Sequence, residues 1–275
     1  MNGKIKLQEI YVHYNLLQGM IDTHFHGLIM EHKELDTRSV ITEAFESGLE
    51  FAIDIGTEMS DVPKRFKLLS NFKNILFAAG NYPSEIEKET VANLIDSLET
   101  IIKNNKISAI GEIGLDWHWN YGTKEQQMEL FEAQINLANK YNLPVLIHNR
   151  EADTEIIEIL QKTRPIAGGI LHCFSSNYKT AVKLLDIGLY ISFAGNVTYK
   201  KNNSLRAVAS KIPVNSIFAE TDSPYLSPQK VRGKTNHPGH IGYTYETLAE
   251  CQKLPIEDFI QTVRNNFLTL FNPEL

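Results

Sequence analysis

Eight short apolar runs, each stopped by turn or polar residues, set the strongest limit on how this chain can fold. They span residues 20–24, 49–55, 75–80, 107–113, 144–148, 169–174, 189–193 and 217–220. The segments between them are polar and carry helical spacing. Strands that alternate with helices imply parallel pairing through right-handed crossovers. Eight such units predict an α/β fold closed into a single (β/α)8 barrel. The length of 275 residues suits it, since such barrels typically take ~250. An open doubly wound sheet is the competing arrangement. No glycine-rich phosphate loop follows the first run, which lowers the odds of a dinucleotide fold.

The clearest helix lies within residues 123–141. Thr123 caps it and Gln126 completes a capping box. Met128, Phe131, Ile135, Ala138 and Tyr141 recur every three or four residues as a buried stripe. Residues 85–103, 153–161, 176–186 and 243–253 read as further helices. No repeat, low-complexity tract or linker marks a boundary, so residues 20–275 read as one domain. Residues 1–19 form an N-terminal extension of unknown role, an added amphipathic strand or turn. Lys4, Lys6, Gln8 and Glu9 deny that extension the core of a signal peptide.

No apolar run approaches the ~20 residues that span a bilayer. Two cysteines, Cys173 and Cys251, make no disulfide framework and fit a reducing cytoplasm, the expected location. The net charge of −6 argues against coating long nucleic acid but not against taking a phosphate end into a local pocket.

The polar residues fall where the runs stop. His24 and His26 end the first, and their i, i+2 spacing points them to one face. Glu112 lies in the fourth, His148 ends the fifth, His172 follows the sixth, and Asp222 follows the eighth. Any one of these alone reads better as a strand-end side chain bonded to a loop. The same placement in five of eight strands favours convergence at one barrel mouth. Imidazoles and carboxylates together suit Zn²⁺, Mg²⁺ or Mn²⁺. Six ligands are too many for one site that must also admit substrate. They suit two divalent ions ~3.5–4 Å apart. On this reading His24, His26 and Asp222 hold one ion, His148 and His172 hold the other, and Glu112 bridges them. Asp222 orients the attacking water, accepts its proton and passes it to the leaving oxygen.

These motifs resemble the TatD-related deoxyribonuclease family of the amidohydrolase-type metal-dependent hydrolases. The likeness rests on Asp22-Thr23-His24-Phe25-His26, on Gly111-Glu112-Ile113-Gly114-Leu115-Asp116, on His148-Asn149-Arg150, on His172-Cys173-Phe174-Ser175 and on Glu220-Thr221-Asp222-Ser223-Pro224-Tyr225-Leu226. It covers about residues 20–271. The resemblance implies a barrel with a divalent-metal site at its mouth and hydrolysis of DNA phosphodiesters, often from a 3′ end. The chain departs from the family pattern at Gly27 and Leu28, at Glu151 and along residues 236–240. None of these departures removes a proposed ligand.

Residues 200–235 hold seven lysines or arginines against two acidic residues, a basic flank on an acidic chain. Arg150 and Arg232 are candidate phosphate contacts, because a guanidinium fork suits phosphate. Tyr225 and Trp117, with His118 and Trp119 nearby, are candidate base-stacking surfaces. Asn81 and Tyr82 are expected to line the mouth. His13, His32 and His237 read as ordinary histidines, and His240 is left open. The expected partner is nucleic acid, as DNA ends or single strands, with no membrane and no stable protein partner. The alternative function is hydrolysis of a small-molecule ester, amide or phosphoester. Many such barrels bridge their metals with a carbamylated lysine on the fourth strand, where this chain has Glu112.

Overall fold

A computed structural model describes residues 16–273. Most of the predicted N-terminal extension, with His13, lies outside the described residues. Eight strands form one parallel sheet in sequence order: β1 (Met20–Phe25), β2 (Leu49–Ile55), β3 (Ile75–Ala79), β4 (Ala109–Asp116), β5 (Val145–Arg150), β6 (Gly169–Leu171), β7 (Tyr190–Phe193) and β8 (Ile217–Ala219). The helices are α1 (Gly27–His32), α2 (Thr37–Glu46), α3 (Val62–Leu69), α4 (Val91–Asn104), α5 (Lys124–Tyr141), α6 (Asp153–Lys162), α7 (Tyr178–Ile187), α8 (Asn203–Ala209), α9 (Ile241–Gln252) and α10 (Ile256–Phe271). The fold is the (β/α)8 barrel that the alternation predicts.

The barrel closes at its C-terminal mouth. The His26 N–H donates to the Ser223 carbonyl at 2.8 Å, and the Asp222 N–H donates to the His24 carbonyl at 2.9 Å. The Tyr245 hydroxyl, on α9, donates to the Ile21 carbonyl and accepts from the Ile21 N–H, both at 3.0 Å. Closure therefore brings the first and last of the candidate ligands, His24 and Asp222, side by side.

Helix α5 begins with the capping box at Thr123 and Gln126. Its buried face is rotated from the predicted stripe. Phe131, Ile135 and Ala138 are buried, but Met128 and Tyr141 are only half-buried, while Gln127 and Gln134 are fully covered. The reason is polar. The Gln134 amide accepts from the Asn81 N–H at 2.7 Å and donates to the Asn81 carbonyl at 3.0 Å. Gln127 accepts from the Asp116 N–H at 3.0 Å. These glutamines satisfy backbone groups that the ladder no longer pairs where β3 and β4 run out. The predicted helix at 85–103 is split into a 3-10 turn, Pro83–Glu87, and α4, whose cap Thr90 accepts from the Asn93 N–H.

Buried polar pairs fix the chain around the mouth. Arg65 on α3 is 1% exposed and donates to the Asp54 carboxylate at 2.7 Å and to the Ala78 carbonyl at 2.9 Å. The other Asp54 oxygen accepts from the Gly27 N–H at 2.9 Å, directly after His26. Removing the guanidinium strands a buried carboxylate. Arg65→Ala is expected to lower the unfolding free energy by ~3–5 kcal/mol in urea titrations. A loss under ~1 kcal/mol, the scale of an exposed pair, would contradict this.

Candidate metal centre

All six predicted ligand side chains meet at the mouth, and four of them are buried, while His148 and Asp222 are half-buried. The Nε2 atoms of His24 and His26 lie 3.2 Å apart. Glu112, on β4, reaches between the histidines. Its Oε1 is 3.0 Å from His148 Nδ1 and 2.9 Å from His172 Nε2. Its Oε2 is 3.6 Å from His24 Nε2 and 3.9 Å from His26 Nε2. One carboxylate is thus divided between two histidine pairs. Asp222 Oδ1 lies 3.5 Å from His26 Nε2 and 3.9 Å from His24 Nε2. Asp222 has a φ of +53°, a left-handed conformation that non-glycine residues seldom adopt, at the point where its side chain turns into the mouth. Gly114 lets β4 approach β5 closely, since a Cβ there would overlap the His148 carbonyl.

Three overlapping groups have ligand atoms within 4.8 Å of one another: His24, His26 and Glu112; Glu112, His148 and His172; and His24, His172 and Asp222. Ligand atoms set ~2.0–2.2 Å from one tetrahedral ion stand roughly 3.5 Å apart, so these spacings suit a divalent cation. The third group crosses the division expected from the sequence. The His24 and His172 rings stack with centroids 4.0 Å apart, which brings Asp222 within reach of both halves.

A second layer holds the candidate ligands. His26 Nδ1 lies 3.1 Å from the Ile55 carbonyl, so that nitrogen carries the proton and Nε2 keeps a lone pair. His172 Nδ1 lies 3.2 Å from Glu220 Oε1. His148 Nε2 lies 3.1 Å from Asp116 Oδ2. Sequence reasoning gave Glu220 and Asp116 no role, although each stands at a strand end. Asp22 is fully buried and accepts from Thr221 Oγ1 at 2.6 Å and from the Thr221 N–H at 2.9 Å, which locks β1 to the segment carrying Asp222. Burial pushes the Asp22 carboxyl up to about 7 against these hydrogen bonds.

The electrostatics favour positive charge at the centre. Burial alone would raise the Glu112 carboxyl, but His172, His148 and His24 outweigh it and hold Glu112 well below the usual carboxylate range. Burial alone would lower His172, but Glu112 and Glu220 outweigh it and raise the imidazole well above its ordinary value. His148 is raised in the same way, Asp116 and Glu112 outweighing its burial. His24 is lowered, first by burial and then by His172. An ionised carboxylate amid imidazoles that tolerate positive charge is a donor set that fits divalent cations.

The candidate substrate residues are arranged in pairs. The Arg150 guanidinium lies 5.7 Å from the Trp119 ring centroid, and the Arg232 guanidinium 4.4 Å from that of Tyr199. Tyr225 is 42% exposed, with Lys33 Nζ 4.7 Å from its ring centroid. Trp117 departs from expectation. It packs against the core with Lys124 Nζ 4.7 Å from its ring centroid, and the exposed indole is Trp119. The Trp117 N–H donates to the Arg150 carbonyl at 2.9 Å and extends the ladder past Asp116, which turns the ring inward.

His237 and His240 do not join the cluster. They stack on each other, with centroids 3.7 Å apart, in the segment after β8. Burial pushes His237 down to about 3 and His240 down to about 4, from an ordinary value of 6.5. Below pH 6.5 the unfolded chain then binds more protons than the folded one, so these groups make the fold less stable as pH falls towards 4. Each is expected to take away about 2 kcal/mol by pH 5. In histidine-resolved NMR of the folded protein both rings should stay neutral down to pH 5. A titration midpoint near 6.5 for either ring would contradict this.

Sequence relatives share this frame. The profile described as TatD related DNase matches residues 21–272. A Bacillus subtilis protein named uncharacterized metal-dependent hydrolase YabD is 33% identical over 253 residues, covering 92% of this chain and 98% of its own. YcfH of Escherichia coli, named in the same way, is 32% identical over 256 residues, covering 92% and 96%. The crystal structure of YjjV, a TatD homologue from Escherichia coli, superposes with a TM-score of 0.86 at 28% identity, covering 92% of this chain and 98% of that one. The profile spans nearly the whole described chain and the relatives cover more than nine-tenths of it, and on that ground the chain belongs to the TatD-related family of metal-dependent hydrolases.

Proposed function

We propose that this metal-dependent hydrolase cleaves phosphodiester bonds of DNA, taking strand ends or single strands at the barrel mouth. The observation that carries the reading is the divided Glu112 carboxylate, with one oxygen facing His148 and His172 and the other facing His24 and His26. That arrangement suits two cations sharing one bridge. His24, His26 and Asp222 would hold one, and His148 and His172 would hold the other. When bound, such a pair supplies an acidified water and offsets charge on the phosphate.

The chain's own groups do the rest. Asp222, the least covered carboxylate of the set at 14% side-chain exposure, orients the water and takes its proton. The same carboxyl then delivers the proton to the leaving oxygen. Arg150 and Arg232 contact flanking phosphates, and Tyr225 and Trp119 offer faces to bases. The family description and the basic flank at residues 200–235 support nucleic acid as the substrate.

The test uses protein purified without chelator and short single-stranded DNA, single-stranded RNA and a panel of lactones, amides and phosphoesters, each with Mg²⁺, Mn²⁺ or Zn²⁺. Metal-stimulated shortening of the DNA is expected. Intact DNA beside turnover of a panel compound would replace this reading with small-molecule hydrolysis.

A further inference from the structure

His148 differs from the other three histidines of the centre. His24, His26 and His172 turn Nε2 towards Glu112, whereas His148 turns Nδ1. A lone pair on that nitrogen requires the proton to sit on Nε2. Three atoms crowd together at the Nε2 side. The Tyr82 hydroxyl is 3.0 Å from Asp116 Oδ2 and 3.1 Å from His148 Nε2, and Nε2 is itself 3.1 Å from Asp116 Oδ2. An ionised carboxylate only accepts, and a phenol brings one proton. If Nε2 were bare, one proton would serve three close contacts and two lone pairs would face each other at 3.1 Å. With Nε2 protonated, the imidazole and the phenol both donate to Asp116 and no lone pairs clash.

The remaining Asp116 oxygen is already committed. Its Oδ1 accepts from the His118 N–H at 2.9 Å and from the Trp119 N–H at 3.1 Å. Asp116 is thus held by four donors, two of them from the mouth loop that carries the exposed Trp119. Tyr82 is the one donor among them supplied from the β3 side. Its ring lies 4.9 Å from the His148 ring and 6.1 Å from that of Tyr121.

We infer that Tyr82 is a positioning residue for the metal centre: through Asp116 its phenol keeps His148 protonated at Nε2 and bare at Nδ1. This rests on the reading of His148 as a metal ligand and is independent of the substrate. Tyr82→Phe deletes the hydroxyl and leaves the ring. Two measurements read the result. Nitrogen-15 NMR of the Zn²⁺-loaded protein reports which His148 nitrogen carries the proton, and calorimetric titration with Zn²⁺ reports affinity.

The wild type should show His148 as the Nε2–H form. In Tyr82→Phe that signal should split or broaden, and the weaker of the Zn²⁺ affinities should fall about tenfold, the scale of outer-layer metal partners. A wild type protonated at Nδ1 overturns the inference. So does a Tyr82→Phe protein with an unchanged His148 signal, or with Zn²⁺ affinity within about twofold of wild type. If the phenylalanine variant fails to fold by circular dichroism, Asp116→Asn carries the same test, since it keeps the size and removes the shared acceptor. A wild type that binds no Zn²⁺ would reject the metal centre itself, whereas a wild type that binds Zn²⁺ beside an unchanged Tyr82→Phe rejects the role of Tyr82 alone.

Discussion

Glu112→Gln is expected to abolish turnover and to strip the centre of metal. The substitution keeps shape and volume and removes one charge. Among the described residues, Glu112 carries the only carboxylate facing all four imidazoles, at 2.9–3.9 Å. A glutamine can offer one oxygen to one pair of histidines, and its NH₂ then points at the other pair, which are acceptors if they are to bind metal. Two cations held close together would also lose the anion that offsets their repulsion. Activity should fall by ~10³-fold or more, since removal of metal-based charge stabilisation costs several kcal/mol of transition-state energy. Metal analysis of the variant should show at most half the wild-type content. Wild-type metal content in Glu112→Gln would remove the carboxylate from its bridging role.

Asp222→Asn should separate chemistry from binding. Asparagine tolerates positive φ, so the +53° backbone of this position does not forbid the change. The amide oxygen can still face His26, and most of the metal should remain. What is lost is the group that takes the proton. Loss of a positioned general base costs typically ~10²–10⁴-fold, and kcat should fall within that range while KM changes little. An unchanged kcat would place the proton acceptor elsewhere.

The fold was largely legible because barrel strands are apolar along their length, and all eight runs correspond to observed strands. Their ends were less so. Residue β-propensity drops at Gly114, yet β4 continues to Asp116 because His148, Asn149 and Arg150 offer a parallel partner at Gly114, Leu115 and Asp116. That longer strand is what turns Trp117 inward and leaves Trp119 exposed. Helices α2 and α3 were not read from the sequence. They are short, and both take their stability from burying a few residues such as Ile41, Ala44 and Leu69 on the barrel. The converging cluster was legible because each member is a polar residue within or just past an apolar run. Their supports were not, since Asp116 meets His148 across 32 positions and Glu220 meets His172 across 48. Neither pairing leaves a local spacing to read.

The measurement that reaches furthest is anomalous X-ray diffraction from crystals of the chelator-free protein, collected at the absorption edges of the bound metals. Two peaks per chain are expected, one on each side of the Glu112 carboxylate, with His24 and His26 at the first and His148 and His172 at the second. A single peak, or metal bound away from Glu112, would contradict the paired-cation centre.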